Sequence, residues 1–201
     1  YLTPVFGGFQ AGASYTPDTQ NVLGNAGAAP NGATSTLGNA SDDVAGEYGS
    51  AYEVAARYEG IVNNVGFILG AGYTHVELEE DLGTQDDAEE WNVGLDVDFG
   101  AIGVGAVYTE NNNGDDVNDE NDTWVVGADY TTGSFKLGAS YLNNENDLGG
   151  TDTEIDRYTG GFVYTYGPGM SLRGSISYLD VDNASVDADA TNVLLGTQIN
   201  F

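Results

Sequence analysis

Four cations stand against 32 acidic residues in this chain: Arg57, Lys136, Arg157 and Arg173. Each sits in a stretch where polar and apolar residues alternate, and each falls on the polar side of that alternation. Glu53, Glu59, Asp96, Asp98 and Asp129 share the same polar parity. If those faces border water, these nine residues would line an aqueous passage. Cations and carboxylates facing each other across it would then set a transverse field that orients passing solutes. Arg57 and Arg173 are the leading candidates for that role. The other use of the same residues is plain ion pairing, with Glu53, Glu59 or Asp129 as partners, for stability.

Other chemistry is sparse. The stretch Asn111-Asn-Asn-Gly-Asp-Asp-Val-Asn-Asp-Glu-Asn-Asp122 is rich in hard oxygen donors, with Asp115, Asp116 and Asp119 as candidate Ca²⁺ ligands. Its spacing does not follow the twelve-residue EF-hand pattern, and a solvated loop explains the composition as well. Divalent ions could also bridge such acidic loops to lipopolysaccharide, without a defined site. The single His75 lies on an apolar face near a strand end, as a rim residue would. With one His and no Cys, the usual nucleophile–base pairs and His-rich metal sites lack their parts, so no enzyme is expected and no cofactor is required. Gly100-Ala-Ile-Gly-Val-Gly105 falls at a hairpin turn and not at a strand-to-helix junction, so it is not a nucleotide loop.

A net charge of −28 repels phosphate backbones and excludes nucleic acid as a partner. The absence of cysteine removes disulfides and thiolate chemistry together. The composition is 40% hydrophobic with 13 Tyr, 7 Phe and 2 Trp, which argues for an ordered chain despite its acidity. The longest apolar run, near Phe67 to Tyr73, is far too short for a transmembrane helix.

The elements that carry these residues alternate with period two, the mark of strands. Trp91, Val93, Leu95, Val97 and Phe99 oppose Asn92, Gly94, Asp96 and Asp98. Phe135, Leu137, Ala139 and Tyr141 oppose Lys136, Gly138 and Ser140. The pattern predicts about eleven strands, at 1–6, 9–16, 50–60, 65–77, 90–99, 102–110, 122–131, 134–143, 155–166, 170–180 and 191–201. Most have the length of a tilted strand crossing a bilayer. Tight turns alternate with long polar connections at 17–49, 78–89, 111–121, 144–154 and 181–190. The acids crowd into the long connections and the short turns carry none.

Aromatics sort the same way. Along the apolar faces, Tyr15, Tyr52, Tyr73, Trp91, Trp124, Tyr141 and Tyr158 stand near the long connections; Phe9, Tyr58, Phe67, Phe99, Tyr130, Phe135, Tyr166 and Phe201 stand near the tight turns. Two aromatic rows flanking an apolar band are what rings seeking the headgroup boundary produce. The expectation is therefore an all-β, antiparallel, up-and-down transmembrane barrel in a single domain over 1–201, with 17–49 as a long external loop. In hydrocarbon every strand must pair on both sides, so such a sheet has to close.

Several segments resemble the general diffusion porins of alphaproteobacteria. They are Phe6-Gly-Gly-Phe-Gln-Ala-Gly-Ala-Ser-Tyr-Thr-Pro-Asp18, Tyr52-Glu-Val-Ala-Ala-Arg-Tyr58 and Tyr166-Gly-Pro-Gly-Met-Ser-Leu-Arg-Gly-Ser-Ile-Ser-Tyr178. The terminal Gly196-Thr-Gln-Ile-Asn-Phe201 is similar to the aromatic signal read by the barrel assembly machinery. The resemblance implies a Gram-negative outer-membrane location, a homotrimer, surrounding lipid and lipopolysaccharide, and passive diffusion of small hydrophilic solutes. The acid-rich mouth adds an expected preference for cations. It also implies sixteen strands, so these eleven would be the C-terminal portion of the barrel; a ten-stranded barrel over 9–201 with a leading tail is the second arrangement. Two other readings stay open: a non-conducting outer-membrane barrel with partner-binding loops, and a soluble acidic calcium-binding β-protein.

Overall fold

A computed structural model describes residues 1–19, 45–81, 83, 85–114, 120–148 and 151–200. Ten strands account for nearly all of them: β1 Phe9–Thr16, β2 Tyr48–Val62, β3 Val65–Leu78, β4 Ala88–Phe99, β5 Ile102–Asn111, β6 Asn121–Thr132, β7 Phe135–Leu148, β8 Thr151–Gly167, β9 Met170–Asn183 and β10 Val186–Ile199. Each pairs antiparallel with its sequence neighbours, giving one sheet in the order β1 to β10 without a crossover. The up-and-down topology follows directly from hairpin connections, which only antiparallel neighbours permit.

The tight turns show why their residues are there. Between β2 and β3, Val62 pairs with Val65 across a two-residue loop, and Asn63 and Asn64 both take positive φ, 50° and 66°. That is the backbone of a type I′ turn, whose twist matches the flanking strands and which asparagine tolerates. Gly100, Gly133 and Gly169 meet the same demand in the later hairpins.

Three expectations change. The leading segment is not an eleventh strand. It runs antiparallel beside β1 through isolated bridges, Leu2 with Gly12 and Phe6 with Phe9, and through bonds such as Thr3 N–H to Ala11 O at 2.8 Å. Pro4 has no N–H to give, which breaks the ladder midway. The connections expected at 144–154 and 181–190 are largely strand. Asn144–Leu148 pairs with Thr151–Ile155, and Val186 pairs with Asn183 across a two-residue turn. Beyond the apolar band both faces of a strand can be polar, so the ladder continues where apolar alternation has stopped. Finally, the ten strands do not make a small closed barrel, because β1 and β10 do not pair with each other. Most of the long external loop (20–44) and Phe201 lie outside the described residues.

The sheet has almost no interior. Ala51 is the only buried hydrophobic among the described residues, while Leu69, Val93, Leu95, Trp124, Leu137 and Val193 all lie exposed. A soluble β-protein of this size would bury such side chains between two layers. Here, among the described residues, the apolar face has no protein layer against it.

Candidate functional site: the polar face

Backbone register places every one of the nine charged candidates on one face. Glu53, Arg57 and Glu59 come from β2, Asp96 and Asp98 from β4, Asp129 from β6, Lys136 from β7, Arg157 from β8 and Arg173 from β9. Cross-strand pairing carries that face along the sheet. One row runs Arg57, Gly70, Gly94, Val107, Val125, Leu142, Arg157. Six strand spacings separate its two arginines, or about 29 Å along the wall at about 4.8 Å each.

The acids gather on β4 and β6, toward the tight turns. Asp98 pairs with Gly103, and Gly103 pairs with Asp129, so two carboxylates flank a residue with no side chain. Both lean over it. A Cβ placed on Gly103 would lie 2.8 Å from Asp129 Oδ1 and 3.2 Å from Asp98 Oδ1. Asp96 leans likewise over Gly105, 3.2 Å from where a Cβ would stand. The adjoining surface is paved with small residues: Gly105, Gly127, Ser140, Thr159 and Ser177 form one continuous row. A wall of this kind leaves the space in front of it open.

The cations divide into two kinds. Lys136 Nζ lies 3.1 Å from Asp129 Oδ2, a diagonal pair across β6 and β7. Arg57 Nη2 lies 3.1 Å from Glu59 Oε2 on its own strand, with both side chains about half exposed. Glu53 accepts a hydrogen bond from Ser14 Oγ. Among the described residues, Arg157 and Arg173 have no ion-pair partner. Of the two arginines singled out from sequence, then, Arg57 is paired and Arg173 is free. Lys136, Val163 and Arg173 fall in one row, two strands apart at the ends, so a second pole of positive charge lies beyond the acids.

The opposite face is apolar and bounded by aromatic rings. Near the long connections Tyr15 meets Tyr52 at 5.1 Å between centroids, Tyr108 meets Trp91 at 5.0 Å and Trp124 at 4.4 Å, and Tyr141 meets Tyr158 at 5.0 Å. Near the turns, Tyr58 meets Phe67 at 5.7 Å and Phe135 stacks on Tyr164 at 4.5 Å. Hydroxyls at the upper row reach past it to acids. Tyr73 donates to Glu89 at 3.0 Å, Tyr108 to Glu110 at 2.8 Å and to Asp122 at 3.0 Å, and Tyr141 to Asp156 at 2.7 Å. Rings in oil with hydroxyls in water is the arrangement of a bilayer interface. Tyr108 joins the aromatic row expected from the sequence, and its parity with Val104 and Ala106 is the signal that marks it. Gly103 carries no such signal, because the pairing that brings Asp98 and Asp129 together is set by register.

The Gram-negative porin profile matches residues 1–184. The chain belongs to the Gram-negative porin family. Porin structures share its fold: the anion-selective porin of Comamonas acidovorans at 18% identity, covering 99% of this chain and 56% of that one, with a TM-score of 0.64. A second refined porin matches at 21% identity and TM-score 0.64, covering 100% of this chain and 60% of that one. The trimer form of OmpT from Vibrio cholerae matches at 20% identity and TM-score 0.56, over 73% of this chain and 49% of that one. No curated protein sequence matches. The chain thus spans somewhat over half the length of the first two porins, and as a porin it belongs in the outer membrane, its apolar face toward lipid.

Other sequence candidates fall away from the polar face. His75 is at the upper rim of the lipid side, its Nδ1 3.3 Å from Glu89 Oε1 and its Nε2 3.7 Å from Asp87 Oδ2. Gly100 opens a β-hairpin, with φ of 62°. Asp115, Asp116 and Asp119 lie outside the described residues, and among the described ones no group of three or more His, Cys, Asp or Glu is placed to hold a metal.

Proposed function

We propose that this porin forms a water-filled channel for passive diffusion of small hydrophilic solutes and ions, with a preference for cations. The observation that carries this reading is the polar face: Asp96, Asp98 and Asp129 gathered over Gly103 and Gly105, beside the row of small residues from Gly127 to Ser177. Charges of this number survive on a membrane strand only when they face water, since a lipid-facing cation costs about 2–4 kcal/mol at the midplane. Acids cluster on β4 and β6 while the free Arg157 and Arg173 stand on β8 and β9, so a solute in the lumen meets opposite charges from different sectors of the wall. The Comamonas relative is named as anion-selective. Selectivity follows the charges an ion meets, and with the wall nearly balanced the preference for cations comes from the acid-rich connections of a chain whose net charge is −28.

An open sheet cannot stand in hydrocarbon, because the outer edges of β10 and of the leading segment leave backbone groups unpaired. The barrel is therefore closed by further strands, in keeping with the greater length of the matching porins. Assembly as a homotrimer is supported by the trimer form of the Vibrio relative. Phe201 serves as the signal to the barrel assembly machinery. No reaction is assigned to the protein.

The test is electrical. Protein purified from outer membranes and added to a planar bilayer should give stepwise conductance. Under a KCl gradient, the reversal potential should have the sign of cation preference. Silent bilayers would sink the channel, and a reversal potential of the opposite sign would sink the selectivity.

A further inference from the structure

The polar face carries an apolar stripe. One register row crosses the sheet from β5 to β10 as Val107, Val125, Leu142, Arg157, Leu179 and Ala190. At about 4.8 Å per strand spacing it is about 24 Å long. Val107 is 45% exposed, and Val125, Leu142 and Leu179 are half-buried. In the next row toward the long connections, Ile155 pairs with Val181. Contiguous apolar surface turned toward water is unfavourable by itself and marks a place where something binds. Arg157 stands alone within the stripe. Its cross-strand partners are Leu142 and Leu179, and the positions of β7 to β10 that share its face include no acid. The other cations of this sector are far off. Lys136 from Leu142 on β7, and Arg173 from Leu179 on β9, are each about 20 Å along the strand at about 3.3 Å per residue.

These neighbours define what would bind. A guanidinium takes a carboxylate through two parallel N–H donations, and apolar flanks that keep water away strengthen the contact. Room for the rest of the molecule lies toward β5. There Val107 and Val125 border a hollow of about 470 Å³, floored by Gly105, Gly127, Ser140 and Thr159. Asp96 and Asp129 edge the same hollow, so a second negative end placed there would be repelled. One cation in reach, an apolar row leading from it and acids beyond together select a single charge on an apolar body. We propose that Arg157, Leu142 and Val125 form a subsite in the channel for an aliphatic monocarboxylate. The carboxylate sits on the Arg157 guanidinium, and the chain lies over Leu142 and Val125 toward the hollow. Two strand spacings, about 10 Å, separate Arg157 from Val125, a reach suited to a medium-length chain. The subsite rests on the reading of this face as the wall of a water-filled lumen. Preference among small ions comes from the acid-rich connections; retention of this one solute comes from contacts at the wall.

The experiment places the intact porin in lipid nanodiscs, with empty nanodiscs as the blank, and titrates hexanoate by saturation-transfer NMR. Wild type should bind hexanoate at least about tenfold more tightly than acetate, which lacks the methylenes to bury. It should also prefer hexanoate to adipate by about threefold or more, because the second carboxylate of adipate faces Asp96 and Asp129. Arg157→Gln should weaken hexanoate at least about tenfold, and Arg157→Lys, which keeps the charge and loses the fork, by less. Leu142→Ser and Val125→Ser should each weaken hexanoate about threefold or more and leave acetate unchanged. Folding is read from heat-modifiable mobility, and if Arg157→Gln fails to fold, Arg157→Lys and Leu142→Ser carry the test. Hexanoate bound no better than acetate by wild type, or undiminished on folded Arg157→Gln, overturns the subsite. Adipate bound as tightly as hexanoate overturns the single-charge assignment. Acetate weakened along with hexanoate by both serine variants overturns the assigned resting place of the chain. Conductance of the same proteins in planar bilayers keeps the two claims apart. Silent bilayers with hexanoate still bound through Arg157 would refute diffusion alone, and open channels that bind no hexanoate would refute the subsite alone.

Discussion

Asp129 and Asp98 share Gly103: the two carboxylates stand on β6 and β4 with that glycine paired between them, and both lean into the space its missing side chain leaves. Any cation passing this stretch of wall meets two acids within one strand spacing on either side. A charge about 4 Å from an ion in water is worth about 1 kcal/mol before salt screening. Asp98→Asn and Asp129→Asn should therefore each lower the cation-to-anion permeability ratio by up to about fivefold, at the ceiling set by that energy. The reversal potential in a KCl gradient reads it, and an unchanged value would remove both residues from the ion path.

Filling the shared space tests the same spot by size. Gly103→Leu displaces both carboxylates and thickens the wall. Single-channel conductance should fall, while thermal stability changes little because the position faces the lumen. Conductance equal to wild type would show that this row does not border the permeation path.

The free and the paired arginines separate charge from stability. Arg57→Gln breaks an ion pair whose members are about half exposed, a contact worth no more than about 1 kcal/mol. Arg173→Gln breaks no ion pair. Its thermal midpoint should match wild type, and its cation preference should rise because a lone positive charge has left the wall. A large loss of stability in Arg173→Gln would assign that side chain a structural role.

Two adjacent residues on β7 test which face meets lipid. Ala139→Arg puts a guanidinium in the apolar band and should destabilise the barrel by about 2–4 kcal/mol. Ser140→Arg puts it in the lumen and should leave stability nearly unchanged. Urea unfolding followed by tryptophan fluorescence distinguishes them, and equal losses would contradict the assigned faces.

The upper tyrosines hold the protein at the interface through their hydroxyls. Tyr108→Phe removes donation to both Glu110 and Asp122 while keeping the ring between Trp91 and Trp124. Because the groups are near the surface, the loss should be below about 1 kcal/mol. Trp91 and Trp124 should be quenched more strongly by probes near the headgroup than by probes at chain ends. Deeper quenching would misplace the whole row.

Much of this was legible because lipid is a demanding solvent. Trp91 through Phe99 had to alternate, and the extent of β4 could be read from that alternation. Hairpins such as Asn63-Asn64 announced themselves through residues that accept positive φ. Where water bathes both faces the demand vanishes, and so did the signal: Asn144 to Leu148 and the turn around Ser185 read as loops yet form ladder. The leading segment alternates well enough to look like a strand, but Pro4 withholds a donor. Which charges belong to one face was plain from parity. Which of them meet was not, because Asp98 and Asp129 are joined by the registers on both sides of Gly103, and neither register is written in a single segment.

The ladder of β8 has one more consequence. Its 17 residues make a strand about 55 Å long, standing about 40 Å high at a tilt of about 40°. That exceeds a hydrocarbon slab of about 30 Å. Along β8 hydrogen bonding is therefore complete at every depth the slab could occupy, and the length of this strand exerts no pull toward a preferred bilayer thickness. Its vertical position is left to the aromatic rings, so on this side of the wall hydrophobic mismatch in a thinner or thicker membrane should be relieved by ring rotation rather than by strain in β8.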